Sequence, residues 1–555
     1  MKSVTKFKLL FIIIIFAIIS SSCNTDIESP LEEIQQEEKP IEEEKPLTPL
    51  NGGTLSLGAF TPTHLNPIIS QEEDGYHILK LIFESLITLD DEHRPKPLLA
   101  EDWAIENNGE TIIFNLRKNV TWQDGEPFIA KDVAFTLDVL KSKDVDSPYS
   151  QYVKNVKSYK ILDEHKVEIN LLGNQSGNLE VFIFPIIPSH RYKKPKDVMT
   201  ANKWTPIGTG YYKLNKYIQG REITLELNND YWGKLPYIEN INIGLMGKKD
   251  QIVKTFETKG IDILRAMDNN WSHFTEDESL AIYPYNTQKY KFIAINHERE
   301  IFKNRNIRKA IQLSLDRQDM LEELYLSQGR IVDIPIPPHS WLYDKDISTL
   351  SYNLNDSKRL VSESGWEKLL DDDEGEGGNN KTKKEKKQDK KKNKLEFELL
   401  VKGGDQLRIQ EAQMIKKSIE AIGINVNIKE LSSEKINESI KKKDFDAILT
   451  GWDLSFIPDL TFAFHSEEID EGQNFISYRN NTINKLLNEA SRHKTEEERE
   501  KVYSDLQSKL SEDLPYINLY FKSSALIVNK RIKGPISPTD YNIFNNIEEW
   551  FIKYK

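Results

Sequence analysis

The segment from residue 395 to 450 alternates between two hydrophobic patterns, and this alternation constrains the fold more than any other feature of the chain. The strand-like run "LEFELLV" precedes a helical pattern that includes Ile415 and Ile419, and the strand-like run "INVNI" follows. A helical pattern at 433–442 and the run "FDAIL" complete the series. Strands that alternate with helices at this spacing are typical of a sheet covered by helices. The sequence therefore predicts an α/β domain here.

Local patterns predict further elements on either side of this region. The Asn-Asn-Gly sequence at 107–109 favours a tight turn, and the alternating apolar residues at 112–116 predict the buried face of a strand. A helical period begins at Ala130. The spacing of apolar residues over 304–326 predicts one continuous amphipathic helix.

The only cysteine, Cys23, follows an apolar run near the start of the chain. Lys2, Lys6 and Lys8 precede eleven consecutive apolar residues, and three serines then lead to the cysteine. The run is too short for a stable transmembrane helix and is typical of a secretory signal. A signal that ends at a cysteine resembles the bacterial lipoprotein type, in which the thiol is lipidated. We therefore predict a signal peptide at 1–22 and lipidation of Cys23, by palmitate for example, on the extracytoplasmic side of the cell membrane. A secreted protein with an unmodified cysteine is the alternative.

Two strongly charged segments are predicted to lie outside any core. Residues 26–50 contain nine acidic residues, two lysines and four prolines, so 23–51 is predicted to be a lipid-anchored, disordered tether. Residues 371–394 change from acidic to strongly basic and predict a charged surface loop, because their spacing does not fit a calcium loop. The net charge of −13 argues against a nucleic-acid partner.

Motifs of catalysis and metal binding are missing from the sequence. The ten histidines do not form a helical metal-binding pair or a His-Glu-x-x-His motif. There is no Gly-x-Ser-x-Gly nucleophile motif and no phosphate-binding loop. The sequence therefore predicts no catalytic residue, no metal site and no cofactor, and it favours a binding protein over an enzyme.

One motif carries a family resemblance. The pattern W-x-DG-x-P-x-x-A-x-DV-x-F-T, from Trp122 to Thr136, resembles the signature of family 5 extracellular solute-binding proteins. These are the peptide, dipeptide and nickel receptors of bacterial ABC importers. Four further stretches resemble the family and occur in its order: "LIFESLITLD" (81–90), "PIGTGYYKL" (206–214), "NDYWGKLPYIENI" (229–241) and "GWDLSFIPD" (451–459).

The resemblance implies an α/β fold of the periplasmic-binding-protein type, a two-lobed clamp with an extra inserted subdomain. Two crossover strands, near "KFIAIN" and "PYINLYF", would form the hinge. The implied boundaries are 52–85, 206–295 and 514–555 for a discontinuous first lobe, 86–205 for the inserted subdomain, and 296–513 for the second lobe. The implied function is capture of oligopeptides between the lobes and delivery to the permease and ATPase subunits of an importer, by a monomer. A nickel or metal-chelate receptor, an oligosaccharide receptor and a peptide-pheromone sensor are the alternatives.

The resemblance also implies which side chains face the ligand. The loop that begins with Gly-Trp delivers ligand contacts in the family, and Ser455 occupies the position where relatives carry an amine-binding aspartate. Recognition of a ligand amine is therefore expected to be weak or to rely on other acids, among them Asp459. The residues predicted to bind ligand are Glu73, Tyr149, Trp452, Asp453, Ser455, Phe456 and Tyr520.

Overall fold

The computed structural model describes residues 48–172, 179–200, 205–266, 271–365, 395–492 and 494–554. The predicted signal peptide, Cys23 and the charged loop at 371–394 lie outside the described residues. The described strands are β1 (Thr54–Phe60), β2 (Ile87–Leu89), β3 (Pro95–Pro97), β4 (Ala100–Glu106), β5 (Thr111–Leu116), β6 (Val156–Asp163), β7 (Lys166–Leu171), β8 (Tyr212–Ile218), β9 (Glu222–Leu227), β10 (Asn240–Met246), β11 (Ile263–Arg265), β12 (Leu280–Ile295), β13 (Gly329–Ile331), β14 (Glu396–Lys402), β15 (Asn425–Leu431), β16 (Ala447–Asp453), β17 (Tyr516–Asn529), β18 (Ile532–Lys533) and β19 (Phe551–Ile552).

None of the helices in the described residues combines the length and the apolar character needed to cross a bilayer. The described helices are α1 (Glu73–Lys80), α2 (Ala130–Lys141), α3 (Lys249–Glu257), α4 (Glu300–Lys303), α5 (Arg305–Ser314), α6 (Arg317–Tyr325), α7 (Leu354–Glu363), α8 (Gln406–Glu420), α9 (Ser433–Lys442), α10 (Thr461–Phe464), α11 (Asn481–Ala490) and α12 (Glu496–Asp513).

The long strands β12 and β17 pair antiparallel at the centre of the main sheet, whose order is β15-β14-β16-β12-β17-β11-β1-β10-β9-β8. On one side of this ladder, β16 pairs with β12 over the last residues of β12 alone, from Lys289 to Ile295. On the other side, β11 pairs with β17 near the end of β17 alone, from Leu526 to Val528. The two halves of the sheet are therefore attached at opposite ends of one ladder. This confirms the predicted two-lobed fold with two crossover strands, whereas the exact lobe boundaries stay a prediction.

A break in the register of β12 lies where the two halves meet. Asn286 pairs with Ser523, and Tyr290 pairs with Phe521, so β12 carries two extra residues in this interval. Bulged segments turn side chains away from the regular pleat. The backbone N–H of the bulged residue Gln288 bonds outside the ladder. The bulge therefore presents side chains toward the space between the lobes.

The second lobe confirms the α/β prediction for 395–450. Strands β14, β15 and β16 are parallel, and α8 and α9 follow in the predicted places. On β12, Ile293 and Ile295 pack into one hydrophobic core, whereas Phe292 and Ala294 pack into the core on the other face. A sheet that is buried on both faces needs continuous apolar strands. This explains why "FIAI" shows no alternation.

The single helix predicted over 304–326 is wrong, because the chain forms α5 and α6 with a break at Leu315. Leu315 has an extended conformation, with φ −87° and ψ 115°. The side chain of Asp316 then accepts a hydrogen bond from the N–H of Asp319 and caps α6. A new cap starts a new helix, although the apolar spacing continues through the break.

The structure of the inserted region agrees with the predicted hairpin. Strands β4, β5, β7 and β6 form an antiparallel sheet, and residues 107–109 all have positive φ, as a tight turn requires. The family motif at 122–136 has a structural role here. Trp122, only 2% exposed, donates its Nε1–H to Asp132 Oδ2 at 3.0 Å. The same carboxylate accepts hydrogen bonds from the N–H groups of Ile129 and Ser189.

Candidate functional site

A cavity of about 470 Å³ lies between the lobes, above the two crossover strands. Its volume falls within the range of 300 to 1,000 Å³ that is typical of ligand pockets. One wall belongs to the first-lobe segments, the floor to the crossover strands, and part of the opposite wall to α8. The lining residues are Phe60, Glu72, Glu73, Asp74, Arg265, Ala266, Thr287, Lys289, Leu407, Lys522, Ser523 and Ser524.

Glu73 on the first-lobe wall forms two ion pairs, one with Arg265 at the end of β11 and one with Lys289 on the crossover strand β12. Its carboxylate lies 2.6 Å from Arg265 Nη1 and 3.3 Å from Lys289 Nζ. Arg265 also contacts Asp74, at 2.5 Å. Burial alone would raise the pKa of Glu73, but the charges of Arg265 and Lys289 outweigh it and hold that pKa below its usual range. Glu73 therefore remains ionised and already has partners.

Two further carboxylates lie beside Lys289 and are less well compensated. Asp453 is the register partner of Lys289 across β16 and β12. Asp540 Oδ2 accepts the N–H of Gln288 at 2.9 Å. Burial raises the pKa of Asp453, and it raises the pKa of Asp540 to about 6, with the nearby charge of Glu73 adding to both shifts. This end of the cleft thus has more carboxylate groups than cations.

The loop that contains Ser455 and Phe456 lines a second, much smaller cavity of about 30 Å³, together with His93 and Gln288. A space of this size holds one or two water molecules and no larger ligand. The Phe456 ring packs edge-on against His93 and Tyr541, with centroid distances of 5.4 and 5.2 Å. The loop is therefore closed onto the opposite side of the cleft.

The hydroxyl of Ser455 forms hydrogen bonds within its own turn. The family resemblance implies an amine-binding aspartate at this position. The Ser455 hydroxyl donates to the carbonyl of Ile457 at 3.1 Å and accepts from the N–H of the same residue. The carbonyl of Ser455 in turn accepts from Gln288 Nε2 at 3.1 Å. The serine thus connects the loop to the bulge of β12 and brings no charge to the cleft.

Trp452 supports the wall behind this loop. Its Nε1–H donates to the hydroxyl of Tyr516 at 3.2 Å. Its ring lies 5.3 Å from Phe462 and 6.0 Å from Phe292, between ring centroids. The indole therefore belongs to an aromatic cluster of the second-lobe core.

The remaining two predicted residues lie apart from both cavities. Tyr149 packs edge-on against Tyr152 and lines a narrow crevice of the first lobe with Lys80. Tyr520 is fully buried, and its hydroxyl donates to the carboxylate of Glu411. The structure thus brings Glu73, Asp453, Ser455 and Phe456 to the cleft between the lobes, and it places Tyr149 and Tyr520 elsewhere.

Sequence reasoning missed the residues that give the large cavity its charge. Arg265, Lys289 and Lys522 line it, and Asp540 lies beside it. A signal was present, because Lys289 and Lys522 are charged residues close to the predicted crossover stretches "KFIAIN" and "PYINLYF". No cluster of three or more potential metal ligands occurs among the residues that the structure describes.

Comparisons with known proteins agree with this architecture. The family model described as bacterial extracellular solute-binding proteins, family 5 Middle, matches residues 94–467, more than half of the chain. The oligopeptide-binding protein AppA of Bacillus subtilis is 26% identical over 521 residues, which cover 91% of this chain and 92% of AppA.

Solved structures give the same result. The structure of AppA from Bacillus subtilis in complex with a nonapeptide matches with a TM-score of 0.66 and 25% identity, over 91% of this chain and all of AppA. The crystal structure of NikZ from Campylobacter jejuni in complex with Ni(L-His) matches with a TM-score of 0.67 and 24% identity, over 90% of this chain and 99% of NikZ. The likeness to NikZ shows a shared fold. The chain belongs to the bacterial extracellular solute-binding proteins of family 5.

Proposed function

We propose that this protein is the peptide receptor of an ABC importer, which captures oligopeptides between its lobes and presents them to permease and ATPase subunits. The observation that carries the proposal is the cavity of about 470 Å³ that both lobes and both crossover strands line. Closure of a clamp about such strands buries a ligand between the lobes and gives a permease a closed form to distinguish from an open one. In this role the protein acts by binding and not by catalysis.

The charges of the cleft suit a peptide. A peptide in water carries an ammonium group at one end and a carboxylate at the other, and its backbone needs hydrogen-bond partners. The cavity offers carboxylates, cations and hydroxyl groups close together. We propose that Glu73, Asp453 and Asp540 form the region that attracts an ammonium group. Ser455 and Phe456 would contact the ligand once the loop opens.

The other predicted ligand residues receive supporting roles in this proposal. Trp452 holds the wall behind the Ser455 loop through Tyr516. Tyr520 orders the second-lobe core beneath the floor of the cavity through Glu411. Tyr149 would reach a ligand only if the ligand extends into the first-lobe crevice.

We also propose that Cys23 is lipidated and keeps the receptor at the outer face of the membrane. The sequence supports this through the charged start, the short apolar run and the serines before the cysteine. The acidic segment that follows would hold the folded body away from the membrane surface.

Native mass spectrometry of the protein purified from its own host would test the ligand class. We expect bound masses that fragment as peptides. A Ser523→Trp variant, which fills the cavity, should carry no peptide, and a Ser158→Trp variant on the exposed strand β6 should carry the same peptides as the wild type. Recovery of a nickel chelate or a sugar, without peptide, would overturn the proposal in favour of the corresponding receptor.

A further inference from the structure

Lys522 lies on the floor of the large cavity, on the second crossover strand. Its side chain is half-buried, and its ammonium group lies 5.1 Å from the centre of the Tyr325 ring. The hydroxyl of Thr287 donates to its backbone carbonyl at 2.7 Å, which fixes β17 to the bulge of β12. The Ser523 side chain lines the cavity next to it.

The neighbouring cations all have acidic partners. Arg265 and Lys289 bind Glu73, and Lys291 Nζ lies 3.5 Å from the buried carboxylate of Glu411. Lys522, in contrast, forms no ion pair with any carboxylate in the part of the chain that the structure describes. It is thus the cation of the cavity lining that has no direct ion-pair partner among the described residues, although the carboxylates of Glu411 and Asp405 offset part of its charge.

A partly buried cation without an ion-pair partner is unfavourable, and the lowered pKa of Lys522 reflects this. Burial lowers the pKa of Lys522 and the positive charge of Lys291 lowers it further, whereas the carboxylate of Glu411 opposes this shift without cancelling it. The aromatic face of Tyr325 offsets only part of the lost hydration. An anionic group in the cavity would restore the missing partner and gain a charge-assisted hydrogen bond.

Lys522 and the carboxylates of the cavity belong to different parts of its lining. The carboxylates Glu72, Glu73 and Asp74 lie on the first-lobe wall, whereas Lys522 lies on the floor beside the second lobe. We propose that Lys522 binds a carboxylate of the ligand and so makes this receptor select peptides with a free carboxylate at that point. This inference rests on the proposed function, and the carboxylate is either the C-terminus or an acidic side chain.

Defined peptides test the inference by isothermal titration. The probes are Ala-Ala-Ala and Ala-Ala-Ala-Ala-Ala, each as the free acid and as the C-terminal amide, together with Ala-Glu-Ala amide and Ala-Gln-Ala amide. We expect the wild type to bind the probe with the carboxylate about tenfold or more tightly than its neutral counterpart. A preference for the free acid identifies the C-terminus, and a preference for the glutamate peptide identifies a side chain. This comparison needs no variant.

Three variants then assign the preference to Lys522. Lys522→Gln should bind the charged and neutral probes with similar affinity, and Lys522→Arg should keep most of the preference. Lys530→Gln, at an exposed lysine of the same segment, should match the wild type. An unchanged preference in Lys522→Gln, or no preference in the wild type, would overturn the inference and leave the peptide receptor intact. A wild type that binds no peptide in this set or from its host would overturn both.

Discussion

His93 and His339 come from opposite sides of the clamp, and their Nε2 atoms lie 3.0 Å apart. The rings meet edge-on, with a centroid distance of 4.4 Å, and His93 also contacts the Phe456 ring. One ring must donate and the other accept, so at least one of the two is neutral in this contact. The hydrogen bond between the two rings therefore cannot form when both histidines are protonated.

We expect the closed form to lose stability in mild acid. Burial lowers the pKa of His93 to about 3, with the charge of His339 adding to the shift, and it lowers the pKa of His339 to about 4. Exposed histidines take up protons near pH 6.5. The two rings therefore take up protons more readily when they are separated than when they are in contact. Because of this difference, the free energy of unfolding should fall as the pH drops from about 6.5 toward 4. Thermal melting and small-angle scattering over this range measure the loss of stability and of closure.

The matched variant is His93→Gln together with His339→Gln. Its melting temperature should depend less on pH between 7 and 4 than that of the wild type. Glu180 and Asp459 line the same small cavity and are present in both proteins, so the comparison isolates the histidine pair. Equal slopes in the two proteins would contradict the role of the pair.

A second contact between the two sides of the clamp is the buried ion pair of Arg499 and Glu180. Arg499 Nη2 lies 3.1 Å from Glu180 Oε1, and the two side chains are 6% and 1% exposed. The guanidinium also lies over the Trp341 ring, 4.9 Å from its centre. An Arg499→Met variant leaves a carboxylate buried without this partner, and we expect it to cost about 3–5 kcal/mol in the free energy of unfolding. Denaturant titration measures this loss.

Two further variants separate the effect of burial on stability from the effect of the charge. Addition of Glu180→Gln to Arg499→Met removes the isolated charge and should recover part of the stability. Arg359→Met breaks ion pairs at an exposed site and should change the stability little. If Arg499→Met and Arg359→Met lower the free energy of unfolding by similarly small amounts, the buried ion pair contributes no more to stability than an exposed one.

The family motif should prove structural when it is mutated. Trp122→Phe keeps the ring but removes the N–H that bonds Asp132, and the carboxylate then loses one of its buried donors. We expect a loss of about 1–3 kcal/mol in the free energy of unfolding. Peptide affinity, measured by titration at a temperature where the variant is folded, should stay unchanged. A large change in affinity at intact folding would show that the motif reaches the ligand.

Sequence patterns predicted those parts of the fold that depend on neighbours along the chain. The strands and helices of 395–450 and the turn at 107–109 follow from local periodicity and turn chemistry, and the structure confirms them. The break between α5 and α6 was missed because the apolar spacing runs through it. The Asp316 cap was the local signal.

The site depends on contacts that no local pattern encodes. His93 and His339 are 246 residues apart in the chain, and nothing in either segment points to the other. Glu73 was predicted to bind the ligand, yet in the structure it already binds Arg265 and Lys289. That Lys522 has no ion-pair partner among the described residues is likewise evident only from the three-dimensional structure. Family resemblance located the cleft, but the distribution of charge within it required the structure.

Lipidation of Cys23 can be tested directly in the host. A Cys23→Ser variant should lose labelling by radioactive palmitate and should move from the membrane fraction to the medium or periplasm. The folded body should be unaffected, so peptide binding by the released variant serves as the control. Persistent labelling of the variant would contradict the assignment.

The acids beside Lys289 should make peptide affinity depend on pH. Burial raises the pKa of Asp540 to about 6, with Glu73 and Asp453 adding to the shift, so part of this group is protonated in mild acid. A ligand ammonium group favours the ionised carboxylate. Affinity for peptides with a free amine should therefore rise as the pH increases from about 5 to 7, and N-acetylated peptides should show little change. Asp540→Asn keeps an acceptor for the N–H of Gln288 while removing the charge. In that variant the free and acetylated peptides should follow the same shallow pH profile in titration calorimetry, and a profile as steep as that of the wild type would assign ammonium recognition to another acid.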